Sequence, residues 1–140
     1  MLQLRRVLLA DDDLEVRSGV ADLLMPLGVE VLEAESGLEV LEIVRVRQQP
    51  VHLLLLDMHM PGCSGLEVLE RLRQPPAVRV PCIFYSGEAT DEVERLALAA
   101  GARAFLRKPV QPDRLRGEVL RALRYYHPDT AFPTTTEGLG

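Results

Sequence analysis

Four positions in the chain combine reactive side chains with a common setting, because each closes an apolar run. Asp11-Asp12-Asp13 follows Val7-Leu8-Leu9-Ala10, Asp57 follows a run of four leucines, Ser86 follows Ile83-Phe84-Tyr85, and Lys108 follows Phe105-Leu106-Arg107. Carboxylates brought together repel one another and stay ionised only if a cation shares the space. A hard, oxygen-ligated cation such as Mg²⁺ suits that role. A carboxylate held beside the ion, with a lysine and a hydroxyl near, can attack phosphorus to form an aspartyl phosphate while the cations neutralise the transferring oxygens. That chemistry requires the four positions to share one edge of the fold.

The elements that would place them there are legible in the hydrophobic pattern. Strand-length apolar runs alternate with segments of helical period, the pattern of a parallel sheet covered by helices on both faces. Val7 to Ala10 predicts a first strand, followed by a helix over 14–27 that carries Val16, Val20, Leu23, Leu24 and Leu27 inward and is closed by Gly28. Val29 to Ala34 reads as the second strand, and Ser36 can cap a helix reaching about Gln48 with Leu38, Leu41 and Val44 on one face. Val51 to Leu56 reads as a central strand buried on both sides, although periodicity alone does not separate so short a run from a buried helix segment. Pro61, Gly62, Ser64 and Gly65 lead into a short helix, Leu66 to Arg73, which Pro75-Pro76 ends. Val80 to Tyr85 is the fourth strand, Thr90 or Asp91 starts a helix that stops before Gly101, and Ala102 to Arg107 is the fifth strand. Pro109 and Pro112 precede a last helix to Tyr126. Five β-α units with right-handed crossovers make a doubly wound α/β domain, whose sites form at the carboxyl ends of the strands.

Bulk properties narrow the function classes. A chain of 140 residues with 47% hydrophobic and 26% charged residues fits one globular domain, and a second would not fit. Its net charge of −5 argues against nucleic acid as the main ligand, since phosphate backbones are bound through clustered Lys and Arg. The arginines of the last helix, Arg114, Arg116, Arg121 and Arg124, read as a solvated face. Cys63 and Cys82 match no metal spacing and read as reduced thiols. The aspartates after Ala10 interrupt the first apolar run before a signal-peptide core is complete, and no stretch approaches the about 20 apolar residues of a membrane span. A cytoplasmic protein with no membrane contact is expected. The tail, 127–140, holds Pro, Thr and Gly with little to bury and reads as a linker or frayed end.

Over residues 5 to 126 the chain resembles response-regulator receiver domains, the phosphoacceptors of two-component signalling. The acidic pocket after the first strand, Asp57-Met58-His59-Met60-Pro61-Gly62-Cys63-Ser64-Gly65, Ser86 at the end of strand four and the Lys108-Pro109 pair stand in the order and register of that family. The resemblance implies a receiver domain over 1–126 with a flavodoxin-like sheet of order 2-1-3-4-5. It implies Asp57 as phosphoacceptor, Asp12 as a direct Mg²⁺ ligand, Asp11 as an acidic neighbour acting directly or through water, and the His59 backbone carbonyl as a further ligand. Lys108 would pair with phosphoryl oxygens, and Ser86 would hydrogen-bond the phosphoryl group, its movement letting the ring of Phe105 turn inward. The Lys108-Pro109 bond is cis in this family. The implied phosphodonor is a sensor histidine kinase or phosphotransfer protein. The implied output is a change at the face of the fourth helix, fifth strand and last helix, read by a downstream protein.

Other readings of the same residues remain. Asp13 serves mainly to cap the first helix. His59 reads first as a partly exposed loop residue and Glu88 as a helix-start carboxylate, though both stand where side chains could tune the lifetime of the phosphate. His52 is assigned no chemistry. A phosphatase of the haloacid dehalogenase type would use Asp11 and Asp13 as nucleophile and acid and would leave Asp57 unexplained. A degenerate receiver, binding a partner without phosphorylation, would not need the intact pocket. In the DNA-binding members of the family two acidic residues commonly follow the Gly-Ala turn before strand five, whereas here Gly101-Ala102 is followed by Arg103-Ala104. A partner other than a second copy of the chain is therefore expected on that face.

Overall fold

The computed structural model describes residues 5–88 and 90–126, so the expected tail lies outside the described residues. Five strands form one parallel sheet: β1 (Arg6–Ala10), β2 (Glu30–Ala34), β3 (Leu53–Asp57), β4 (Cys82–Ser86) and β5 (Ala104–Arg107), in the order β2-β1-β3-β4-β5. The helices are α1 (Leu14–Leu24), α2 (Gly37–Leu41), α3 (Gly65–Arg73), α4 (Asp91–Ala99) and α5 (Pro112–Tyr126). This is the doubly wound, flavodoxin-like arrangement expected from the sequence.

Alternate residues of each strand face opposite layers. Leu8, Leu54, Leu56, Phe84 and Phe105 pack with Val40 of α2, Val68, Leu69 and Leu72 of α3, and Ala97 of α4. Val7, Leu9, Leu53, Leu55, Ile83 and Tyr85 pack with Val20 and Leu24 of α1 and with Leu115, Val119 and Leu123 of α5. The four leucines of β3 are buried completely. Each such side chain contributes about 1.5–3 kcal/mol relative to an exposed one, which anchors the strand that ends at Asp57.

Several boundaries differ from the sequence reading, each for a local reason. Pro26 cannot donate to a helical ladder, and the predicted end of the first helix tightens into a 3-10 turn, Met25–Leu27, closed by Gly28 at φ 71°. Past Leu41 the second helix widens into a π turn, Glu42–Val46, and does not continue to Gln48. Strand β3 begins at Leu53 because the His52 ring intervenes: its Nδ1 accepts from Arg6 N at 2.9 Å. Pro81 lacks an N–H and precedes β4, supplying only its carbonyl to Leu54 N at 2.9 Å. Arg103 N reaches Cys82 O at 2.7 Å ahead of β5, which begins at Ala104. Among the described residues no helix is long and apolar enough to cross a membrane. Cys63 and Cys82 are buried and free.

Candidate functional site

Asp11, the residue after β1, is completely buried and held at every polar atom. Its Oδ1 accepts from Asp13 N at 2.9 Å, its Oδ2 accepts from the Tyr85 hydroxyl at 2.9 Å, and its carbonyl accepts from Arg17 Nη1 at 2.6 Å. Arg17 is itself nearly buried and pairs through Nε with Glu33 Oε1 at 2.8 Å. Asp12 is exposed at the rim. Asp13 caps α1, Oδ1 accepting from Glu15 N at 3.0 Å and Val16 N at 3.2 Å. Its role as a phosphatase acid would compete with that cap.

Asp57 ends β3 at 3% exposure. Its Oδ1 accepts from His59 N at 3.2 Å, and its Oδ2 lies 3.4 Å from Lys108 Nζ, which also stands 3.3 Å from Asp11 Oδ2. Burial, followed by the charge of Asp11, raises the Asp57 carboxyl from 3.8 to about 6, against the lowering effect of the His59 N–H and Lys108. Two buried carboxylates thus face one ammonium, an excess of negative charge that a divalent cation would relieve. Ligand atoms of Asp11, Asp12 and Asp57 lie within 4.8 Å of one another, an all-oxygen donor set suited to a hard cation.

The cleft over these groups is about 280 Å³, with His59, Gly87 and Glu88 on its rim. The His59 and Glu88 side chains face each other there, Nε2 to Oε1 at 3.9 Å. Ser86 lies below the rim, fully buried, its Oγ accepting from Glu88 N at 3.0 Å. Phe105 is not at the cleft. Its ring is already inside, 3% exposed, in the layer beneath α2, α3 and α4. The Lys108-Pro109 peptide is cis.

Sequence reasoning missed Tyr85 and Arg17. A tyrosine inside an apolar strand reads as core, yet its buried hydroxyl needs a partner, and that requirement could have marked it.

The family model for the response regulator receiver domain matches residues 7–120. The chain belongs to that family. The receiver is 33% identical over 117 residues to the CAI-1 autoinducer sensor kinase/phosphatase CqsS of Vibrio cholerae, covering 82% of this chain and 17% of that protein. It is 30% identical to the transcriptional regulatory protein YrkP of Bacillus subtilis, over 86% of this chain and 50% of YrkP. With the phosphate regulon regulatory protein PhoB of Pseudomonas aeruginosa the identity is 31%, over 96% and 59%. The chain thus spans less than two-thirds of the length of these curated relatives. Among solved structures, the receiver domain protein of Clostridium thermocellum matches with a TM-score of 0.78 and 29% identity over 87% of this chain and 96% of that one. A CheY-like receiver of Methanospirillum hungatei gives 0.76 and 28% over 91% and 99%. The receiver is a two-component signalling domain, and phosphoacceptance is the general function of its family.

Proposed function

We propose that this receiver accepts a phosphoryl group on Asp57 from a sensor histidine kinase or a phosphotransfer protein, in the cytoplasm. The observation that supports this most directly is the meeting of Asp11, Asp12 and Asp57 within 4.8 Å, with Lys108 Nζ 3.4 Å from Asp57. Asp57 and Asp12, with Asp11 directly or through water and the His59 backbone carbonyl, would hold Mg²⁺. When bound, the ion would neutralise charge on the transferring phosphoryl oxygens.

The remaining work falls to side chains. An Asp57 carboxylate oxygen attacks phosphorus as the bond from phosphorus to the donor's imidazole nitrogen breaks, the electron pair leaving with that nitrogen. Lys108 takes a phosphoryl oxygen as its counter-charge. Ser86 donates its hydroxyl hydrogen to the phosphoryl group, and its movement toward that group holds the Phe105 ring in the inward position it already occupies. Loss of phosphate is self-catalysed hydrolysis, and the exposed His59 and Glu88 tune access of water to it. The signalling change reaches the α4-β5-α5 face, where a downstream protein target reads it, with no direct nucleic acid binding by this segment. Residues 1–126 form the receiver, and 127–140 a tail or linker.

Phosphopeptide mapping after treatment with a small phosphodonor tests the reading. Label on Asp57 supports it. Label on Asp11, or none in the presence of Mg²⁺, refutes it.

A further inference from the structure

Tyr85 occupies an unusual place for a core residue. It is completely buried in the layer beneath α1 and α5, paired in register with Asp57 across β3 and β4. A phenylalanine would fill nearly the same volume without a hydroxyl to satisfy. The hydroxyl instead donates to Asp11 Oδ2 at 2.9 Å, with the Ala10 carbonyl a longer alternative at 3.5 Å. The face of the same ring lies under the Lys108 ammonium, Nζ standing 5.1 Å from its centroid. One side chain therefore touches both charges that flank Asp57.

We propose that Tyr85 is a positioning residue for the cation and phosphoryl site, its hydroxyl orienting the Asp11 carboxylate and its ring steering Lys108. The inference rests on the reading of Asp11 as part of a Mg²⁺ site. With Oδ1 fixed by Asp13 N and the carbonyl by Arg17, the Tyr85 hydroxyl is the shorter of the two contacts on Oδ2. Oδ2 also faces Lys108 at 3.3 Å, and the hydroxyl shares its acceptor capacity. Without that donor the Asp11 carboxylate loses its fixed orientation. Hydrogen-bond partners that orient metal ligands act in this way at other metal sites.

Calorimetric titration with Mg²⁺ alone, on the full chain without phosphodonor, tests the hydroxyl. Tyr85→Phe should bind Mg²⁺ more weakly by roughly 10-fold, the lower end of the effect typical for such partners. The gain in melting temperature on adding Mg²⁺ should shrink with it, a difference that a purely structural role would leave unchanged. Beryllofluoride binding at saturating Mg²⁺ tests the ring: Tyr85→Phe should keep close to wild-type affinity, and Tyr85→Leu should lose on the order of 3-fold as the cation-π contact goes. Wild-type Mg²⁺ affinity in Tyr85→Phe would reduce the hydroxyl to core satisfaction and overturn the proposal. Tighter binding would mean that the hydroxyl competes with the cation, and would also overturn it. Equal beryllofluoride affinity in the two variants would remove the ring's part. If Tyr85→Leu does not fold, the Phe variant still decides the hydroxyl's role. Absence of Mg²⁺ binding by the wild type would instead refute the proposed function itself, and this inference with it.

Discussion

Lys108 Nζ stands 3.4 Å from Asp57 Oδ2, the ammonium reaching the end of β3 from the loop after β5. In the absence of a phosphoryl group it spans Asp57 and Asp11; with one attached to Asp57 it is placed to follow the new negative oxygens. Lys108→Ala should slow phosphoryl uptake by about 10²-fold, the order seen when a preorganised charge stabiliser is removed. It should also blunt the spectral response to beryllofluoride. Labelling kinetics and near-ultraviolet circular dichroism check both, and unchanged values would exclude a part for Lys108 in the site.

The raised Asp57 carboxyl makes a prediction about stability. Its folded value, about 6, lies above the ordinary 3.8, so the folded state holds its proton more tightly than the unfolded chain does. That favourable contribution is complete below the ordinary value and is lost as pH rises through about 6. Above it, the ionised carboxylate is a burden in the Mg²⁺-free protein. Asp57→Asn should therefore be more stable than the wild type at pH 7 without Mg²⁺, by about 2 kcal/mol. The advantage should vanish near pH 4, where the wild type is protonated. Urea denaturation at the two pH values reads it directly.

Metal removal gives a third expectation. Asp12 is exposed and its loss leaves the buried framework intact, so Asp12→Ala should fold normally. It should nevertheless lose phosphoryl uptake, as the wild type should in chelator, because the excess negative charge of the cleft then lacks its counterion. Labelling that persists without divalent metal would count against the proposed site.

The contrast between what was and was not legible has a physical basis. Leu53 to Leu56 announced a strand buried on both faces, and the rule that sites gather at carboxyl strand ends assigned Asp11, Asp57, Ser86 and Lys108 to one edge of the sheet. Strand starts were harder, because they depend on which atom takes each hydrogen bond. The His52 ring replaced a backbone partner before β3, and Pro81 withheld one before β4. Tyr85 escaped notice for a similar reason. Its alternation phase put it on the correct face, but its hydroxyl reaches past β3 to Asp11, a contact fixed by sheet order and ring length.

Gly65 opens α3 directly over the phosphoacceptor strand, its N–H donating to Met58 O at 3.1 Å. A Cβ there would press into the Asp57 carbonyl oxygen and meet Phe84 Cε1 at 3.1 Å. A backbone oxygen cannot rotate aside, so the helix must lift. Gly65→Ala should destabilise the domain by about 1–3 kcal/mol, as overpacking typically does, and should slow phosphoryl uptake by shifting Asp57. Chemical denaturation and labelling on the same preparation would check both, and wild-type stability would show that α3 accommodates the methyl group.

The last prediction concerns the α4-β5-α5 face. Arg103 places its guanidinium over the Tyr125 ring at 5.9 Å, and Arg107 pairs with Asp91 at 3.5 Å and Glu94 at 3.0 Å. Arg103 and Arg107 are thus both engaged within the protomer. Exposed pairs of this kind are worth only about 0.2–1 kcal/mol each, so they act on specificity more than on strength. A two-fold interface sets the same patch against itself, and Arg103 would then need an acidic partner that the Gly101-Ala102-Arg103-Ala104 turn does not offer. Like charges placed opposite one another disfavour that pairing. One turn beyond Glu94, Leu98 is 46% exposed and gives a different protein an apolar foothold beside the charges. Beryllofluoride and Mg²⁺ should therefore leave the sedimentation coefficient of the receiver that of a monomer. A tight mimic-induced dimer, abolished by substitutions at Arg103, Arg107 or Leu98, would show that this face pairs with its own copy and that the absent acidic residues are replaced by contacts of another kind.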